Sequence, residues 1–121
     1  MSFSTTELEL IASAKEVTIE TRSPDRVHRT VIWVAVGDET MYVRSFLGDA
    51  GRWYQRALAD PDVALVVGDT RVAFRAVPAT DAESIEHASE GFRRKYPKGR
   101  SLDAMVVPEV LHTTLRLEPV S

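Results

Sequence analysis

The sequence contains no cysteine. It therefore has no disulfide, no thiolate nucleophile and no cysteine-ligated zinc, which removes several enzyme classes at once. Long apolar runs are also missing, because the longest, residues 31–36, is far shorter than the ~20 residues that a membrane helix needs. The first residues lack the basic flank and apolar stretch of a secretory signal. From these absences we expect a soluble, cytoplasmic protein with no membrane partner.

Basic charge is in short supply as well. The formal net charge is -3 at pH 7, whereas binding to a nucleic acid duplex needs a net basic face, so nucleic acid is not expected as a partner. The three histidines, His28, His87 and His112, are far apart and form no metal-binding motif. We therefore expect no metal site.

Length and composition predict one globular domain spanning residues 1–121. The chain has 121 residues, of which 44% are hydrophobic and 27% charged, close to the average of globular domains. It shows no repeat, linker or low-complexity segment that would mark a boundary.

Six segments have the alternating or β-branched composition of strands: residues 16–21, 29–36, 40–46, 63–67, 70–77 and 112–120. Gly37-Asp38 and Gly68-Asp69 each separate two of them, as in tight hairpins. Ser23-Pro24-Asp25 predicts another turn. Hairpins separated by single helices predict a mainly β (α+β) protein, a closed or nearly closed six-stranded antiparallel barrel with short helices packed outside.

Helices are predicted from their capping signals. Ser4-x-x-Glu7 predicts an N-terminal helix that ends near Lys15, and Thr80-x-x-Glu83 predicts a longer amphipathic helix that ends before Pro97. Residues 52–59 form a crossover helix between two hairpins, and one helical turn is expected at residues 102–105.

Arginine carries the clearest polar signal. Between residues 22 and 56 there are six arginines and four acidic residues, a local charge of 6 - 4 = +2. Arg44 and Ser45 come at a strand end, and Arg52 starts a helix, where a cation opposes the helix dipole unless an anion is also bound there. With backbone amides from Gly48 to Gly51, these residues predict a phosphate site. The alternative for each arginine is an ordinary solvated side chain.

Two tryptophans and Tyr54 adjoin this candidate site. Trp53 follows Arg52 directly, and Trp33 lies in the neighbouring strand. Trp33, within its apolar run, is more typical of a core position, and Trp53 suits either role.

From Arg29 to Pro97 the chain resembles the deazaflavin-dependent nitroreductases and their relatives in the flavin-binding split-barrel superfamily, including a branch of small domains. The matching stretches are Arg29-Thr30, VIWVAV (31–36), YVRSFLGDAGR (42–52) and WYQRALADPDV (53–63). The resemblance implies an FMN-binding split barrel whose groove holds the tricyclic ring of FMN or an 8-hydroxy-5-deazaflavin, and it also implies a homodimer.

The same resemblance implies a function and roles for individual residues. The protein would be an oxidoreductase that exchanges hydride with a small-molecule, apolar substrate. Phosphate binding would fall to Arg44, Ser45 and Arg52 with the Gly48–Gly51 backbone, Trp33 and Trp53 would shape the ring pocket, and Tyr96 would be the substrate-side donor. The alternatives are a protein that binds or stores a flavin-like or other anionic ligand without catalysis, and an empty barrel that serves as a dimeric interaction domain.

Overall fold

A computed structural model describes residues 5–120 and contains one antiparallel sheet whose strand order is β2-β1-β5-β6-β7-β4-β3. The strands are β1 (Val17–Ser23), β2 (Arg26–Ile32), β3 (Ala35–Gly37), β4 (Thr40–Val43), β5 (Asp62–Val67), β6 (Thr70–Pro78) and β7 (Leu115–Pro119). The helices are α1 (Thr5–Ser13), α2 (Arg52–Ala59), α3 (Ala82–Lys95), α4 (Arg100–Val106) and α5 (Pro108–Leu111), with a 3-10 turn at Gly48–Ala50. Among residues 5–120, no helix is long and apolar enough to cross a membrane.

The sheet has seven strands instead of the expected six because the predicted strand 29–36 is broken. Its first part belongs to β2 and its second part is β3, and these two strands are the opposite edges of the sheet. Only Trp33 and Val34 join them, so Ile32 and Ala35 are at most ~11 Å apart. The edges of a flat seven-stranded sheet would be about 29 Å apart, at ~4.8 Å per strand. The sheet must therefore curl and bring its two edges toward each other, which gives a curled half-barrel.

Hairpin turns lie where the sequence places them, with one shift of register. Val67 pairs with Thr70, so Gly68 and Asp69 form the loop between β5 and β6, and Gly68 has a φ of 58°. In the β3–β4 hairpin Gly37 pairs with Thr40, and the loop residues are Asp38 and Glu39. Both have positive φ, 52° and 59°, as a type I′ turn demands.

The main core fills the inside of the curl. Ile11 of α1 and Trp53 and Ala57 of α2 join strand residues such as Ile19 and Phe74 in one buried cluster. A second cluster packs α3 and α4 against β3; its buried members are Ala35, Phe92, Tyr96, Leu102 and Met105. Helices α3 and α4 thus cover β3 as the expected outer helices would, whereas α1 and α2 contribute side chains to the main core.

Helix α3 begins one residue later than its predicted capping box. Asp81 is the N-cap, and its carboxylate accepts a hydrogen bond from the Ser84 backbone N–H at 3.0 Å, where the sequence suggested Thr80. The capping residue expected for α1, Ser4, lies outside the described residues. Helix α4 spans 7 residues, longer than the single turn expected there.

Glycine 91 marks the closest approach of α3 to β3, which leads to the first prediction. A Cβ at Gly91 would lie 2.6 Å from the Val36 carbonyl oxygen. Alanine normally stabilises a helix by about 0.5–1 kcal/mol over glycine. Here we expect Gly91→Ala to lower the free energy of unfolding by about 1–3 kcal/mol, because the backbone must move to admit the methyl group.

Urea denaturation measures the effect, and Glu90→Ala, at the exposed neighbouring position, is the control. The control should stay within about 0.5 kcal/mol of wild type. A stabilised Gly91→Ala variant would contradict the packing of α3 on β3.

Candidate functional site

A cavity of about 630 Å³ opens between the break in strand 29–36, the end of β4 and the start of α2. Its volume is in the range of small-molecule and cofactor sites. It is lined by Glu16, Thr30, Val31, Ile32, Trp33, Arg44, Ser45, Phe46, Leu47, Ala50, Gly51, Arg52, Trp53, Arg56, Ser101 and Met105. We call this cavity the pocket.

Most of the residues singled out from sequence meet at the pocket. Six of the eight line it: Trp33, Arg44, Ser45, Gly51, Arg52 and Trp53. Gly48 and Tyr96 do not line it, although each touches a residue that does. Segments that are far apart in the sequence, from Glu16 to Met105, are therefore brought to one cavity.

The Arg44 side chain is buried and connects several elements of the structure. It is 1% exposed, and its guanidinium donates to Thr114 Oγ1 at 2.8 Å, Ser89 Oγ at 2.9 Å, the Met105 carbonyl at 3.0 Å and the Ile85 carbonyl at 2.8 Å. These bonds tie the end of β4 to α3, α4 and the segment before β7. Because four of its five N–H groups are used within the protein, the geometry disfavours the direct phosphate contact expected of Arg44.

Arg44 nevertheless affects the pocket through its charge. No carboxylate forms an ion pair with it among the described residues. Burial lowers the pKa of Arg44 to about 10, so the guanidinium still carries its charge at neutral pH. A buried, unneutralised cation at the pocket wall favours an anionic or electron-rich occupant.

The loop after β4 is held by Ser45. Its hydroxyl donates to the Gly48 carbonyl at 2.7 Å, and its backbone N–H donates to Thr113 Oγ1 at 3.0 Å. Gly48 has a φ of 63°, and a Cβ at Gly51 would collide with Ser45 Oγ. Serine and the two glycines therefore build a tight loop whose last residue precedes α2, and this loop forms one wall of the pocket.

Helix α2 contributes two cations to the pocket: Arg52, which the sequence pattern indicated, and Arg56, which it did not. Arg52 and Arg56 are one helical turn apart, so they are neighbours on one face, and both line the pocket. Arg56 Nε donates to Thr21 Oγ1 at 2.9 Å, and neither arginine pairs with a carboxylate in the described part of the chain. The i, i+4 spacing was the signal that would have added Arg56 to the candidate set.

Trp33 stands at the break in the strand and is held by Tyr96. The two rings stack with centroids 3.7 Å apart and planes 4° from parallel. The Tyr96 hydroxyl lies 2.7 Å from the Lys15 carbonyl and 3.3 Å from the Val34 carbonyl, and burial raises its pKa to about 12. Tyr96 is 4% exposed. Its position supports Trp33 and does not favour the expected role of Tyr96 as a substrate-side donor.

The mouth of the pocket is apolar. Val31, Phe46 and Leu47 are 61%, 59% and 66% exposed, which is unusual for side chains of this size. Trp53 in the wall is 7% exposed and meets Tyr54 edge-on. Trp53 thus serves both the core and the pocket, which are the two roles that the sequence left open for it.

A group outside the pocket could hold a metal ion. Asp38 in the β3–β4 turn and Glu83 and His87 on α3 have possible ligand atoms within 4.8 Å of one another. Both carboxylates are exposed, a common surface arrangement, and nothing else at this place indicates an ion.

Solved structures with this architecture define the class of fold. An FAD binding protein from Mycobacterium smegmatis superposes with a TM-score of 0.67 at 16% identity, over 100% of this chain and 93% of that one. An FAD-binding protein from Mesorhizobium loti gives 0.66 at 13% identity, over 100% and 91%. A NimC/NimA family protein from Clostridium acetobutylicum gives 0.63 at 14%, over 95% and 78%. The chain has the split-barrel fold of these proteins.

The family to which the chain belongs is shown by its sequence. Residues 7–117 match the family described as an uncharacterized protein conserved in bacteria (DUF2255), and the chain belongs to it. A search of curated proteins found no match.

The Arg44 network generates the second prediction. Arg44→Met would remove the donor from three buried acceptors and from the partly buried Ile85 carbonyl, so the free energy of unfolding should fall by about 3 kcal/mol. Arg44→Lys should recover part of the loss, because one ammonium cannot reach four acceptors on three elements.

Urea denaturation provides the comparison. Arg93→Met, which removes an exposed arginine 3.7 Å from Glu86, is the control and should cost less than about 1 kcal/mol. Equal effects of the Arg44→Met and Arg93→Met variants would show that the network contributes nothing beyond a surface pair.

Proposed function

We propose that the pocket binds a flavin-type cofactor, FMN or an 8-hydroxy-5-deazaflavin, and that the protein is an oxidoreductase acting on a small, apolar substrate. The observation that carries this proposal is the pairing, in one cavity, of two indole rings with two arginines that have no acidic partner among residues 5–120. The flavin-related names of proteins that share the fold support it.

The residues present fit such a cofactor. A planar ring system needs flat apolar walls, which Trp33 and Trp53 supply, and a phosphate needs a donor, which Arg52 supplies. The backbone N–H groups of Gly48, Ala50 and Gly51 already donate to carbonyls of the same loop, so they do not serve the phosphate as the sequence suggested. When bound, the cofactor accepts and donates hydride, a reaction that no side chain of this protein performs.

The chain's own contribution is binding, orientation and charge. Tyr96 fixes the plane of Trp33 from behind, so the indole is rigid before anything binds. The buried Arg44 charge favours electron density in the pocket, and the apolar mouth of Val31, Phe46 and Leu47 suits an apolar substrate.

A non-catalytic binding or storage protein is the second candidate, and one observation favours it. The Tyr96 hydroxyl is bonded to backbone carbonyls, so it does not face a substrate. Turnover by the protein with reduced cofactor and a panel of electron acceptors distinguishes the two functions, since a storage protein would bind the cofactor and show none.

The expected homodimer stays a prediction of the family resemblance. Light scattering at micromolar concentration tests it, and a purely monomeric protein would count against it.

The third prediction tests the cofactor site at Arg52. Arg52→Ala should weaken FMN or deazaflavin binding by roughly ten- to a hundredfold, because a charge-assisted contact contributes about 1.5–3 kcal/mol. Arg52→Lys should recover only part of the affinity. The thermal stability of the unliganded protein should be unchanged or slightly higher, since a cation leaves a helix N-terminus.

Calorimetric titration and thermal melts measure both quantities. Arg75→Ala, an exposed arginine of β6 outside the pocket, is the matched control and should bind like wild type. Unchanged affinity of Arg52→Ala for both cofactors would remove Arg52 from the site.

A further inference from the structure

Arg56 lines the pocket and also contacts β1 of the β1–β2 hairpin. Its Nε is fixed on Thr21 Oγ1, which leaves the terminal nitrogens of the guanidinium without a protein acceptor among the described residues. Thr21 is fully buried and pairs directly with His28 across the two strands. Residues that face each other in this way have Cβ atoms only about 4.5–5.5 Å apart. Thr21 therefore brings Arg56 and His28 into one neighbourhood.

His28 occupies the same face of β2 as two pocket residues. Side chains alternate along a strand, so His28, Thr30 and Ile32 point to the same side of β2. Thr30 and Ile32 line the pocket. The half-buried His28 ring is the next position along this face, just beyond the pocket's edge.

Hydrogen bonding fixes the tautomer of His28. Ser23 Oγ is 2.8 Å from Asp25 Oδ1 and 2.8 Å from His28 Nε2. The hydroxyl has one proton and the carboxylate can only accept, so Ser23 donates to Asp25 and accepts from His28 Nε2–H. The Nδ1 atom of the neutral ring is then the free basic nitrogen.

The charges around His28 are mostly positive. Burial lowers its pKa first, and the charges of Arg56 on α2 and Arg26 on β2 lower it further, while Asp25 at the hairpin tip opposes them. The ring is thus mainly neutral at pH 7 in the free protein. A second negative group placed here would be attracted by both arginines and would draw a proton onto His28.

We infer that Arg56 and His28 form a second anion-binding subsite, continuous with the pocket, that takes a second phosphate or carboxylate group of a cofactor longer than FMN. This inference rests on the proposed flavin site, in which Arg52 binds the first phosphate. The shared chemistry is an additional anionic group, present in the diphosphate of FAD and in the anionic tail of a deazaflavin coenzyme.

The fourth prediction tests the subsite without any flavin. Pyrophosphate alone, titrated into the full chain, should raise the pKa of the His28 imidazole, which NMR follows through its ring protons. Arg56→Gln should abolish the rise, and Arg75→Gln, the control, should leave it intact. An unchanged His28 pKa in the presence of pyrophosphate overturns the inference. If pyrophosphate raises that pKa but no flavin binds, the proposed function fails and the subsite stands.

Cofactor titrations then test its selectivity. Arg56→Gln should weaken binding of the longer cofactor roughly tenfold or more and that of FMN less than about threefold. FAD and the deazaflavin coenzyme are measured separately, and the one whose affinity depends on Arg56 identifies the source of the second anion. Equal losses for FMN and both longer cofactors overturn the inference, as does wild-type protein that binds FMN as tightly as either of them.

The pH dependence supplies a readout that a structural role would not give. Because binding raises the pKa of His28, the affinity for the longer cofactor should increase as the pH falls from about 8 to about 6. The affinity for FMN should not rise over that range, because its phosphate monoester takes up a proton at about pH 6 and loses charge. His28→Gln should abolish the rise for the longer cofactor, and a rise that persists in this variant overturns the role of His28.

Discussion

The backbone carbonyl of Val34 is the point on which closure of the sheet depends. Val34 lies between β2 and β3, outside every strand pairing of the described residues, and is fully buried. A buried carbonyl without a donor would cost about 1–3 kcal/mol. Here Lys95 Nζ donates to it at 2.7 Å, and the Tyr96 hydroxyl lies 3.3 Å away. The end of α3 thus supplies the hydrogen bond that strand pairing does not, at the point where the chain passes from one edge strand, β2, to the other, β3.

This arrangement also prepares the pocket. Lys95 is partly desolvated to reach the carbonyl, and burial lowers its pKa to about 8. The next residue, Tyr96, stacks on Trp33, so the contacts that close the sheet also orient an indole of the pocket wall. Helix α3 also holds Arg44 through Ser89 and the Ile85 carbonyl. One helix therefore positions two features of the site.

Local patterns predicted most elements, and the exceptions have a tertiary cause. The Gly68-Asp69 turn and the span of α2 follow from local sequence alone. The run VIWVAV has no glycine or proline to mark a break, because the break is imposed by closure and supported by residues about 60 positions away. Gly37 belongs to β3 and not to the turn, and it is a glycine because the backbone of His87 leaves no room for a Cβ. Neither contact can be found by examining a strand by itself.

The different roles of the arginines in the candidate site could not be predicted from local sequence either. In the sequence, Arg44 and Arg52 are equivalent cations flanking a glycine-containing loop. Burial separates them: Arg44 is 1% exposed and must find acceptors within the protein, whereas Arg52 is exposed and has none among residues 5–120. A buried guanidinium whose donors are used can act on a ligand only through its field, while an exposed one at the pocket can form direct bonds. Residue type thus locates the charge, and only packing decides which arginines remain available to a ligand.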